Sequence, residues 1–135
     1  MAFKFSTAVR NARLDAIETT ISTAPVLTIR TGSPPADCAA ANTGTVLATF
    51  TLPSNWMGDA ASGVKSKAGT WSDASADATG TAGHFRIHES TATTCHIQGT
   101  ITATGLGGDM TLNSTTITSG DTVTISAFGL TDGNA

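Results

Sequence analysis

Charged and aromatic side chains are scarce in this chain. Of its 135 residues, 13% are charged, 5% are aromatic and none is tyrosine, and the formal net charge is −3. A chain without a basic field does not attract polyphosphates, so we expect no nucleic-acid partner. So few large side chains build a small core, and we expect association with further copies or with a partner to contribute to stability.

Long apolar runs are also missing. No stretch approaches the roughly 18 consecutive apolar residues of a membrane span, and residues 1–7 lack the apolar segment of a secretory signal. We therefore expect no membrane partner and a protein made in the cytoplasm. A chain of this length builds one core.

Cysteine is limited to Cys38 and Cys95, which form no CxxC or Cys/His metal spacing. A disulfide between them would close a long loop and stabilise the fold by about 3–5 kcal/mol in the loop-entropy model. Two buried thiols are expected in a reducing cytoplasm, and the case for a disulfide is stronger for a particle that lives outside the cell. The sequence leaves both states open.

Threonine occupies every second position through much of the segment from Ile97 to Ser126, with isoleucine, valine, leucine or methionine between. This alternation is typical of half-buried strands. Glycine-rich turns separate about seven such segments, which lie near residues 27–30, 46–52, 64–71, 85–87, 95–103, 110–112 and 123–127. The pattern predicts a mainly β fold, an antiparallel β-sandwich, jelly roll or small barrel.

A helix is predicted before the strands. Ser6 is a plausible N-cap, apolar residues recur at helical spacing from Thr7 to Thr20, and Pro25 ends the helical geometry. We therefore divide the chain into an N-terminal arm and helix (1–23) and a single β domain (24–135). The helix either covers an open end of the sheets or projects and docks on another subunit.

Local details of three strands are also predicted. Lys65 and Lys67 share one face and indicate a charged edge that resists pairing. Residues 89–94 form the polar tip of a hairpin. The apolar row of the last strand changes parity near Ala127 and Phe128, which requires a bulge or a bend.

Candidate metal ligands are few. His84, His88 and His96 lie on two neighbouring predicted strands, where three imidazoles on one face could bind zinc. Solvent-facing histidines explain the pattern better, because no cysteine or carboxylate joins the three at ligand spacing. The loop carboxylates allow calcium binding, but turn hydrogen bonds explain them better. These carboxylates are Asp59, Asp73, Asp77 and Asp109. We expect no metal and no cofactor.

Catalytic motifs are missing as well. No serine lies in a GxSxG motif, and the glycine-rich segment 105–108 is not followed by the GK[ST] of a phosphate loop. We expect no enzymatic activity and assign no catalytic residue.

Four large apolar residues are candidate partner contacts. Phe3 and Phe5 precede the helix, and Trp56 and Met57 lie in a loop after a strand. Apolar side chains in a terminal arm and in a loop often mark contact surfaces. The alternative is that Phe5 packs on the start of the helix and Trp56 closes the core.

Four segments carry a resemblance that covers nearly the whole chain. They are AVRNARLDAI (8–17), LTIRTGSPP (27–35), DATGTAGHFRI (77–87) and GDMTL (108–112). They resemble small, mostly uncharacterised structural proteins of tailed bacteriophages and prophages. The resemblance implies a virion component made in many copies and supplies no site residues.

The function expected from this resemblance is that of a capsid decoration protein that binds the major capsid protein lattice, assembles in the host cytoplasm and forms homo-oligomers. A tail, collar or fibre-base protein is the first alternative, with another virion protein as partner. A carbohydrate-binding module for host attachment is the second, although a chain without tyrosine has few aromatic platforms for sugars.

Overall fold

A computed structural model describes residues 3–134, which form one helix and ten strands. The helix is α1 (Thr7–Ile21), and the strands are β1 (Val26–Thr31), β2 (Val46–Thr51), β3 (Val64–Ser66), β4 (Trp71–Asp73), β5 (Gly80–His88), β6 (Cys95–Ala103), β7 (Met110–Leu112), β8 (Thr116–Ile117), β9 (Val123–Ile125) and β10 (Gly129–Thr131). The predicted mainly β chain with a leading helix is confirmed. There are more strands than expected, because segments of two or three residues are too short to show alternation. Over residues 3–134, no helix combines the length and the apolar character needed to cross a bilayer.

The main sheet has six strands and curls into a half-barrel. Its order is β2-β1-β5-β6-β7, and β8 pairs with the start of β5. Two small antiparallel sheets, β3 with β10 and β4 with β9, complete the β body. The predicted hairpin is confirmed, since β5 and β6 are antiparallel and Ile87 faces Ile97 across them.

One pair of strands departs from the antiparallel pattern that we expected. β6 and β7 are parallel, with Ile101 opposite Met110, although a short loop joins them. Parallel connections usually need about a dozen residues or more. Here Gly105 and Gly107 adopt φ values of 90° and 80°, which side chains rarely allow, and this lets the chain turn back tightly.

The core lies inside the half-barrel. Leu27 faces Ile87 and Ile29 faces Phe85 across β1 and β5, and all four side chains are buried. A chain of aromatic rings extends this core towards the small sheets. The rings belong to Phe85, Phe128, Trp71 and Trp56, and neighbouring ring centroids lie 5.4 to 6.1 Å apart.

The predicted strand at 64–71 is wrong in extent. The chain turns at Gly69, where φ is 68°, and the segment contributes β3 and β4 to two different small sheets. The predicted change of parity near Phe128 coincides with the break between β9 and β10, which pair with β4 and β3 respectively. Phe128 is buried after this break, whereas Ala127 is exposed.

Helix α1 packs on the β body of its own chain. The Ser6 hydroxyl accepts the Val9 N–H at 3.3 Å, as expected of the N-cap. Leu14 and Ile21 are the buried residues of the helix. Of the two interpretations left open by the sequence, the structure shows the covering helix.

Lys65 binds this helix to β3 through buried ion pairs. The prediction that Lys65 lies on an exposed charged edge is therefore wrong. Its side chain is 1% exposed, and its Nζ lies 2.7 Å from Asp15 Oδ1 and 2.8 Å from Glu18 Oε2. Nζ also donates to the Gly58 carbonyl at 2.8 Å. Local alternation cannot reveal this pairing, because the two carboxylates come from a helix distant in sequence.

Candidate functional site

The most unusual polar arrangement lies on the outer face of β5. Alternation along β5 directs Phe85 and Ile87 into the core and leaves His84, Arg86 and His88 on the other face. Residues 32–45, which connect β1 to β2 and are called the covering loop below, make hydrogen bonds to this face. All three polar side chains are buried. The interpretation of His84 and His88 as solvent-facing is therefore wrong.

Arg86 is the centre of this arrangement. Its Nη1 donates to the Ala40 carbonyl at 3.0 Å and to Asn42 Oδ1 at 2.8 Å. Its Nη2 donates to the carbonyls of Cys38 at 2.8 Å and Asp37 at 3.4 Å. Within residues 3–134 these partners include no carboxylate, so backbone and amide dipoles compensate the buried charge.

Neighbouring side chains hold the same loop. Gln98 Nε2 donates to the Pro35 carbonyl at 2.7 Å, and Arg30 Nη1 lies 3.4 Å from the Thr43 carbonyl. His84 Nδ1 lies 2.9 Å from the Gly32 carbonyl. The loop has few apolar side chains to bury, so these bonds to its backbone attach it to the sheet. A sequence signal existed, because an arginine and two histidines share one face of a strand whose other face carries Phe85 and Ile87.

The two cysteines meet where the middle of the covering loop approaches β6. Cys38 lies in the loop and Cys95 is the first residue of β6, and their sulfurs are 3.1 Å apart. Both are free thiols. Arg86 Nε donates to Cys95 Sγ at 3.2 Å, and a cavity of about 280 Å³ adjoins the pair. Burial, followed by the neighbouring Cys95 thiol, raises the pKa of Cys38 to about 11.

The histidines do not assemble a metal site with these thiols. Across residues 3–134 no group of three or more histidine, cysteine, aspartate or glutamate side chains has metal-binding geometry. His88 borders the cavity with an unpartnered Nδ1, and burial, with Arg86 and Arg30 nearby, lowers its pKa. His96 is exposed, and its Nε2 lies 3.9 Å from Glu89 Oε2.

The loop carboxylates bind backbone and hydroxyl groups. Asp73 accepts the N–H groups of Thr49 and Ser75, and Asp77 accepts the Thr49 hydroxyl. Asp109 accepts the Thr100 N–H and hydroxyl, both at 2.9 Å. Hydrogen bonding within the fold therefore explains these three side chains, and Asp59 lies exposed in its loop.

Phe3 and Phe5 lie at the surface. The Phe3 side chain is 85% exposed, and that of Phe5 is 36% exposed. The Phe5 N–H donates to the Asn134 carbonyl at 2.8 Å, and the Arg13 guanidinium carbon lies 4.9 Å from the Phe5 ring centroid. The arm is therefore tied to the body at Phe5 while Phe3 remains accessible. Their assignment as partner contacts stays a prediction.

Trp56 and Met57 are not at the surface, and their assignment as contacts is corrected. Both side chains are buried in the core. Trp56 Nε1 donates to the Ser22 carbonyl at 3.0 Å, which joins the end of α1 to the aromatic rings. The sequence left the core alternative open for Trp56, and the structure shows it.

Two features of the described residues bear on function, the exposed arm and the pair of cysteines. No family model, curated protein or solved structure matches the chain. The accessible arm at Phe3 and Phe5 is suited to contact a partner. The Cys38–Cys95 pair, between the covering loop and β6, places two thiols close enough for covalent chemistry.

Proposed function

We propose that this protein is a structural component of a tailed-phage virion, a decoration protein that binds and stabilises the major capsid protein lattice. The observation that carries the proposal is the exposed apolar arm. Phe3 is 85% exposed, and it lies two positions before Phe5, whose N–H is hydrogen-bonded to the Asn134 carbonyl. The resemblance of four segments to phage structural proteins supports the same proposal.

Exposed large apolar side chains are concentrated in the arm and the first turn of α1. Phe3, Phe5 and Val9 are three of the five exposed large hydrophobic residues described, and they lie within a short segment. We call these three residues the arm surface. Apolar surfaces with polar surroundings are typical of protein contacts, and repetition over a lattice adds many weak contacts into a large stabilisation.

The alternatives differ in copy number and in chemistry. A tail, collar or fibre-base protein would use the same arm surface with fewer copies per particle. Carbohydrate binding needs accessible aromatic platforms. The chain has no tyrosine and both tryptophans, Trp56 and Trp71, are buried, which leaves Phe3 and Phe5 as the accessible rings among the described residues. The geometry therefore favours a protein partner over a sugar.

The test uses particles produced by the phage or prophage that encodes the protein. Quantitative mass spectrometry should find a copy number comparable with that of the major capsid protein. A copy number equal to the rotational symmetry of the tail would assign the protein to the tail or neck. Absence from purified particles would overturn the proposal.

Two matched variants test the contact surface. Phe3→Asp should lower occupancy on the capsid by roughly tenfold, because it removes an apolar anchor from the interface. Leu106→Asp is the control, since Leu106 is 75% exposed but lies in the turn between β6 and β7. Both variants should melt like the wild type. Equal losses of occupancy for the two variants would contradict the assignment of the contact to the arm surface.

A further inference from the structure

We propose that Cys38 and Cys95 form an intramolecular disulfide when the folded protein meets an oxidising thiol–disulfide pool, and that this bond fastens the covering loop to β6. The inference is independent of the virion proposal, because it concerns a covalent bond within one chain. The disulfide would lie at the cavity beside Arg86.

The fold brings the two thiols into hydrogen-bond contact without a covalent bond between them. The sulfurs lie 3.1 Å apart, and a disulfide needs them about 1 Å closer. β-pairing positions Cys95, which is opposite His88. Arg86 positions Cys38 by donating to its carbonyl at 2.8 Å. Ordinary hydrogen bonds of the fold therefore hold both partners in place.

Oxidised glutathione is a sufficient oxidant, and the reaction balances in two exchanges. Cys38 is the more accessible thiol, and its thiolate attacks glutathione disulfide, forming a mixed disulfide and releasing one glutathione thiolate. The Cys95 thiolate then attacks the Cys38 sulfur and releases the second glutathione. The two protein thiols are oxidised, one glutathione disulfide is reduced, and the two thiol protons end on the two glutathione molecules.

The environment of the pair makes this exchange slow in neutral solution. A thiolate is the attacking species, and burial holds the pKa of Cys38 at about 11. Arg86 and His88 face the same cavity. The positive charge of Arg86 lowers the pKa of Cys38, but by less than burial raises it. The thiols therefore persist in a reducing cytoplasm and are oxidised during long exposure to an oxidising medium.

The test compares wild-type protein incubated with dithiothreitol or with oxidised glutathione. After oxidation, denaturation in the presence of a maleimide should give no adduct, the intact mass should fall by two hydrogen atoms, and peptide mapping should link Cys38 to Cys95. Closing this long loop should raise the melting temperature by roughly 10 °C. Two maleimide adducts, a stable glutathione adduct or a disulfide-linked dimer would each overturn the proposal.

Cys38→Ser is the matched variant, because Cys38 is only partly buried. Its melting temperature should be the same in both redox conditions, whereas that of the wild type should not. A redox-dependent shift that persists in this variant would overturn the assignment. The mass and mapping measurements need only the wild-type chain, so they decide the question even if the variant folds poorly.

Discussion

Arg86 illustrates what a single buried charge requires. A guanidinium removed from water loses several kcal/mol of hydration unless its donors are satisfied. In this protein carbonyl and amide oxygens from Asp37 to Asn42 accept from the two Nη atoms, and Cys95 Sγ accepts from Nε. The covering loop is consequently part of the fold, even though it contains no helix or strand.

The hydrogen-bonded carboxylate of Glu89 makes the stability of the fold depend on pH. Its carboxylate accepts the Thr91 hydroxyl and the backbone N–H groups of Thr93 and Thr94, and these bonds lower its pKa from 4.5 to about 2. The pKa is lower in the folded state, so this stabilisation is complete above about pH 4.5 and is lost as the pH falls towards 2. Melting temperatures measured across this range should fall with acidification, and less steeply for Glu89→Gln.

The Thr91 hydroxyl is the largest cause of that shift. Thr91→Val should therefore raise the pKa of Glu89 measured by carboxyl NMR titration. Thr93→Val is the control, because Thr93 donates to Glu89 through its backbone N–H, which valine retains. Equal titration curves for the wild type and Thr91→Val would contradict the assignment.

At the scale of elements, α1 is held to the sheets by a few specific contacts. Its apolar residues Leu14 and Ile21 are buried, and polar bonds flank them. Asn11 Oδ1 accepts the Gly63 N–H and Asp15 Oδ1 accepts the Ala60 N–H, both at 2.9 Å. Both hydrogen bonds reach the segment just before β3.

Lys65→Met should therefore destabilise the protein by about 2 kcal/mol, since it keeps the volume but leaves two carboxylates without their buried cation. Lys67→Met is the control. Lys67 donates to the Gly69 carbonyl and lies over the Trp71 ring at a less buried position, so its loss should cost under about 1 kcal/mol. Urea denaturation measures both free energies. Equal costs would show that the Lys65 ion pairs do not hold the helix.

For the whole molecule, the aromatic rings connect the half-barrel to the small sheets. Phe128 packs edge-on against Phe85 at 5.7 Å between centroids and contacts Trp71 at 5.4 Å. Within residues 3–134 neither small sheet shares a strand with the half-barrel, so packing of the aromatic rings contributes to their attachment. Folding should then be cooperative across all three sheets.

Phe128→Ala should cost about 3–5 kcal/mol, as expected for an aromatic side chain removed from a core. Phe5→Ala is the control and should cost under about 1 kcal/mol, because Phe5 lies at the surface. Urea unfolding monitored by tryptophan fluorescence and by far-UV circular dichroism should give coincident transitions for the wild type. Separate transitions would mean that the small sheets unfold independently of the half-barrel.

The sequence by itself determined the features that depend on neighbouring residues. Helix α1, the β5–β6 hairpin and the change of parity before Phe128 were all predicted, because capping, alternation and proline geometry act over a few residues. The division of 64–71 into two strands was missed. A turn at Gly69 and a short alternating strand look alike when no partner strand is known.

Only the tertiary structure decided which polar and aromatic residues are buried. The strand pattern predicts surface positions for Lys65, His84 and His88, and the loop after β2 makes Trp56 and Met57 candidate contacts. Their burial depends on a helix and a covering loop supplied from distant parts of the chain. The same applies to Cys38 and Cys95, because a contact across 57 positions depends on chain topology, which local patterns do not encode.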